Sequence, residues 1–105
     1  MDYQAMQKIN NLLKAIETKI TAIQKEVEVP QPNVDKIQAE AHTIRILMAE
    51  VYDIANSTGE SVRTISCSFF GEKMKLNEIS MILADFVNMC HDFYMESLKD
   101  SLKCY

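Results

Sequence analysis

The sequence predicts an all-α protein, an antiparallel helical hairpin extended to a three- or four-helix bundle with coiled-coil-like seams. Three observations lead there. Only two glycines and two prolines occur in 105 residues, too few turn formers for a many-stranded sheet. The strong helix formers Ala, Leu, Met, Glu, Lys and Gln are plentiful. Apolar residues recur at alternating steps of three and four on both sides of Pro30 and Pro32, which is the spacing that lines one face of a helix. With 48% apolar residues at this length, residues 1–105 are read as a single helical domain with a thin core.

The first helix is expected over about 2–28. Met6, Ile9, Leu13, Ile16, Ile20, Ile23 and Val27 form its seam, which is stable only when another helix covers it. The Asp2 carboxylate suits the N-terminus, and Pro30 disfavours helical geometry at Val29. Residues 29–33 have the length of an antiparallel connection, and Asn33 is a good N-cap. A second helix over about 33–57 then carries Val34, Ile37, Ala41, Ile44, Met48, Val51 and Ala55 with the same steps. Folding one seam onto the other pairs Val27 with Val34, Leu13 with Met48 and Met6 with Ala55, so that each pair of numbers sums to 61. The short connection holds the partner at high effective concentration, which favours pairing within the chain.

The stretch NSTGESV, residues 56–62, contains Gly59, costly inside a helix, and a Ser57/Glu60 pair with capping-box spacing, both of which suggest a break and restart. Val62, Ile65 and Phe69 nevertheless continue the earlier heptad phase, so a helix or a continuation is expected over about 58–70, capped by Gly71. The last helix, about 73–103, has Leu76, Ile79, Leu83, Phe86, Cys90 and Phe93 as its main seam, joined by Ile82 and Met89 on one side and Val87 and Tyr94 on the other.

The charge distribution narrows the function. The net charge is −4, and only two arginines are present, Arg45 and Arg63, so no basic face forms and nucleic-acid binding is not expected. Apolar runs reach only four residues, Ile46–Ala49 and Met81–Ala84, and the N-terminus carries lysines and asparagines. Neither a membrane span nor a signal peptide is expected, and the protein is read as acidic, soluble and cytoplasmic. Three cysteines, Cys67, Cys90 and Cys104, lack CxxC spacing, which argues against a disulfide framework or a zinc ribbon.

Candidate sites are sparse. Cys90 and His91 are sequence neighbours, but neighbours on a helix point about 100° apart and cannot act on one atom. Phosphate loops, GxSxG and HExxH patterns are absent, and no cofactor or metal is expected. Glu50 and Asp53 form an ExxD pair on one helical face, spacing that can share a divalent ion. The all-helical nucleoside triphosphate pyrophosphohydrolases join such a pair to an EExxE stretch, which this chain lacks. The leading expectation is therefore a small non-enzymatic protein–protein interaction module: an adaptor, chaperone, inhibitor or assembly subunit. A homodimer is expected too, because long thin helices leave apolar surface uncovered.

The partner surface is expected on the back of the last helix. Met74, Met81, Asn88, Met95 and Leu102 recur there every seven residues, with Ala84, His91 and Leu98 between them. Unbranched, polarizable Met side chains repack against varied apolar partners, while Asn88 or His91 sets register. The alternative is a small Mg-dependent pyrophosphohydrolase-like enzyme using Glu50, Asp53 and Glu78, with sites shared between chains.

Overall fold

The structure, a computed structural model, describes residues 2–103. Three long helices and one two-stranded antiparallel sheet follow in the order α1 (Tyr3–Glu28), α2 (Val34–Ser57), β1 (Ser66–Phe69), β2 (Glu72–Lys75) and α3 (Leu76–Lys103). The first two helices start where local chemistry places them. Asp2 caps α1 by accepting from the Gln4 N–H at 3.1 Å, and Asn33 caps α2 by accepting from the Lys36 N–H at 3.1 Å. Extended backbone at Val29 ends α1 just before Pro30.

The α1 and α2 helices run antiparallel and bury facing stripes. Ile9, Leu13, Ile16, Ile20 and Ile23 lie inward on α1, and Ile37, Ala41, Ile44, Met48, Val51 and Ala55 on α2. Polar contacts span their edges: Lys19 pairs with Glu40 at 3.1 Å, and Glu26 accepts from the Asn33 N–H at 2.9 Å. Val27, by contrast, is exposed at the end of its stripe.

Residues 58–75 depart from the sequence reading. No helix forms over 58–70, and the Ser57/Glu60 spacing starts none. The α2 helix stops at Ser57, and Gly59 follows its C-cap in the left-handed region at φ 77°, which a glycine adopts without steric cost. A turn at Ser61–Ile65 leads into β1, which pairs with β2 in the register Ser66↔Lys75 to Phe69↔Glu72. Gly71 is therefore no helix cap. It is the second residue of a two-residue hairpin turn, with Phe70 at φ 50° and Gly71 at φ 80°, the pair of positive values that a type I′ turn requires. The cause is a period of two: Ile65, Cys67 and Phe69 point into the core and Ser66 and Ser68 away from it.

The hairpin also delays the last helix. Glu72–Lys75 is committed to the sheet, so α3 begins at Leu76 rather than near 73. The start is anchored by the Leu76 N–H donating to the Ile65 carbonyl at 2.9 Å and the Asn77 N–H to the Val62 carbonyl at 3.3 Å. Helix α2 is central, with α1 and α3 both packed on it. Helices α1 and α3 do not pack on each other, and β1 bridges them. Leu76, Ile79, Leu83 and Cys90 complete the core, with Phe86 and Phe93 half-buried against it. The molecule measures 56 × 20 × 17 Å with a radius of gyration of 15.9 Å. A compact chain of this length would have about 13 Å.

Candidate functional site

Two surface features draw on α3. The first is its outward side. Ten large apolar residues are exposed in the described part of the molecule, and five of them, Met81, Ile82, Met89, Met95 and Leu98, lie within 18 residues of this helix. They do not form one stripe. Ile82 and Met89 lie beside the half-buried Phe86 and Phe93 at steps of four, three and four, which makes one apolar edge. Met81 and Met95 lie on the other side. Between them runs a ridge of exposed carboxylates, Glu78, Asp85, Asp92 and Glu96.

The second feature is a groove where α3 lies against α2. Its wider lobe, about 300 Å³, is walled by Ile44, Met48, Leu83, Ala84 and Val87, with Tyr52 and Ser80 at one end and Arg45 and Asn88 at the other. A narrower lobe, about 170 Å³, continues from Arg45 and Asn88 past Val87 to Gln38, His42 and His91. The residue numbers run in opposite senses on the two helices, so α3 is antiparallel to α2. No Asp or Glu lines either lobe, although the chain carries 15 of them. Arg45 has no ion pair or side-chain hydrogen bond among the described residues. The Gln38 Oε1 is buried without a hydrogen-bond partner among the chain's own groups.

The expected partner stripe is thus divided. Asn88 and His91 are exposed and line the groove. Met81 and Met95 face solvent beyond it. Met74 is not on the helix at all: it sits in β2 opposite Cys67, half-buried against the core, because the hairpin takes residues 72–75. The Leu102 side chain, together with Cys104 and Tyr105, lies outside the described residues. Sequence reasoning missed Arg45, Tyr52 and Gln38. The signal was a second line along α2, Gln38, Ala41, Arg45, Ala49 and Tyr52, in which two alanines permit close approach of another helix.

The remaining chemistry is dispersed. Cys67 and Cys90 are free and buried, and burial pushes both thiols above their ordinary range, which keeps them protonated and inert. Glu50 and Asp53 are exposed on α2. Glu78 sits three residues into α3, where its carboxylate accepts from the Lys75 N–H at 3.4 Å, one half of a capping box. Among the described residues, no three His, Cys, Asp or Glu side chains are grouped so as to hold a metal ion. No described helix is long and apolar enough to cross a membrane. No known protein family, characterised protein or solved structure matches the chain.

Proposed function

We propose that the protein is a non-enzymatic protein–protein interaction module whose partner-binding element is α3. The observation that supports this reading is the concentration of exposed apolar side chains on one helix, with Met81 and Met89 each 68% exposed on either side of an acidic ridge. Exposed apolar patches rimmed by charge mark association surfaces. The ridge selects the partner's chemistry: an amphipathic helix carrying Lys or Arg beside its apolar residues complements it, and an acidic one is repelled. Such a module is read as a single cytoplasmic domain in which α1 and α2 interlock as a coiled-coil-like seam.

A synthetic amphipathic helix of leucine and lysine tests the proposal. The intact protein should bind it saturably at one to one, more weakly as salt rises. Changing Met81 and Met89 together to Ser should weaken binding at least tenfold, about 1.4 kcal/mol, with helix content unchanged. Equal binding by the double variant, or none by the parent, would overturn the reading.

The elongated shape supports a second reading, a homodimer. Self-pairing across the ridge would set carboxylates against carboxylates, so a dimer would use the Ile82, Phe86, Met89, Phe93 edge. Sedimentation equilibrium at micromolar concentration decides, a mass of 12.0 kDa counting against it. The pyrophosphohydrolase reading needs Glu50, Asp53 and Glu78 to meet, and one chain does not group them. It would require a site between chains, and calorimetric titration with Mg²⁺ would reveal defined stoichiometry if one forms.

A further inference from the structure

We infer that the groove between α2 and α3 is a binding site for a small amphiphilic anion, a carboxylate on a medium-length apolar chain, with Arg45 holding the headgroup. Three observations combine. The first is electrostatic: in a chain of net charge −4 the lining of this groove contains no acid, and its charged member is an arginine with no partner among the described residues. A lone guanidinium fork matches one carboxylate, in a bidentate pair, better than it matches a dianion that needs several cations.

The second observation is position. Arg45 and Asn88 are shared by both lobes, so the cation and an amide donor stand together at the junction, with His42 and His91 beside them. A headgroup there has donors on several sides. Gln38 stands seven residues before Arg45 along α2, in the narrower lobe only.

The third is the shape of the wider lobe. From Arg45 it runs two turns of α2 to Tyr52, about 10 Å, between the walls of Ile44, Met48, Leu83 and Val87. That length and a volume of 300 Å³ suit a single chain or small ring system at the lower end of ligand-site sizes. A folded partner is too large to enter. The proposal does not depend on the outward face of α3, and its test uses different residues.

Sodium decanoate, kept below the concentration at which it forms micelles, is the probe. Calorimetric titration of the full chain should show one saturable site, while acetate at the same concentrations shows none. Arg45→Gln should weaken decanoate at least tenfold, and Arg45→Lys less. Ala49→Trp, which fills the wide lobe and leaves the Arg45 charge in the chain, should abolish binding. Both positions are exposed, so circular dichroism should be unchanged in every variant. Absence of saturable binding by the parent chain would overturn the inference. So would equal decanoate affinity in Arg45→Gln and parent, which would place the chain elsewhere, or acetate binding as tightly as decanoate, which would make the groove a bare anion site.

Discussion

The turn between α1 and α2 joins helices of 26 and 24 residues that bury eleven side chains along their length. The turn between β1 and β2 joins strands of four residues each, whose inward side chains are Cys67, Phe69 and the half-buried Met74. A two-stranded sheet of that size is not stable by itself. It persists because Cys67 and Phe69 enter the core, because the Ile65 carbonyl accepts from Leu76, and because Glu17 of α1 accepts from the Phe70 N–H. The first hairpin supplies the platform and the second depends on it. Their responses to substitution should differ accordingly.

The largest effect is expected in the platform. Ile16 and Ile44 are completely buried, so Ile16→Asp or Ile44→Asp places a charge where no partner exists. The penalty, several kcal/mol, rivals the 5–15 kcal/mol by which small domains are stable. Thermal melts followed by circular dichroism should lose their cooperative transition. A normal melt for either variant would mean that the α1–α2 stripe is not the foundation of the fold.

The same contrast explains what the sequence could disclose. Helices α1 and α2 were legible because each stripe repeats through three heptads and is bounded by a cap and by Pro30 and Pro32, so length resolves any ambiguity of period. Residues 62–69 offer too short a run to do so. Ile65 and Phe69 belong both to the helical series Val62, Ile65, Phe69 and to the alternating series Ile65, Cys67, Phe69, and only Cys67 between two serines distinguishes them. The Phe70–Gly71 turn supplies a further sign, since a glycine can end a helix or close a hairpin. For the groove, the sequence places Asn88 and His91 on α3 in a methionine stripe and not beside α2, and Arg45 and Tyr52 lie on a side of α2 that reads as solvent until α3 is known to lie along it.

An intermediate effect is expected in the dependent hairpin. Phe69 is 4% exposed, and Phe69→Ala should cost about 3–5 kcal/mol. If the hairpin depends on the platform, it should open first. The two buried thiols report this separately, Cys67 from β1 and Cys90 from α3. Since burial raises both thiol pKa values, the stability they contribute is complete below the ordinary thiol value of about 8.5 and is lost as pH rises through the raised one. Labelling of Cys67 and Cys90 at neutral pH should be slow in the parent. In Phe69→Ala, Cys67 should react much faster and Cys90 only slightly faster. Equal acceleration would show that the molecule opens as one unit and that the distinction between its two hairpins is false.

The smallest effects belong to the turn itself, where two adjacent residues should respond with opposite signs. Nothing lies within 4 Å of a Cβ built on Gly71, so Gly71→Ala meets no steric obstacle beyond its own backbone at φ 80°. The cost should be that of the left-handed region alone, about 1–2 kcal/mol. Phe70 already bears such a cost at φ 50°, and asparagine tolerates this region better. Against the relief stands an edge-to-face contact with Phe69, ring centroids 4.9 Å apart at 78°, a geometry worth about 0.5–1.5 kcal/mol. Because the ring of Phe70 is half exposed, its contact belongs at the low end of that range, and the backbone wins. Phe70→Asn should therefore raise the urea midpoint by an amount equivalent to less than about 1 kcal/mol, with the m-value unchanged, while Gly71→Ala lowers it. A clear loss on Phe70→Asn would mean that the aromatic pair and its seat beside Thr21 and Lys25 of α1 hold the tip more strongly than the turn geometry opposes it.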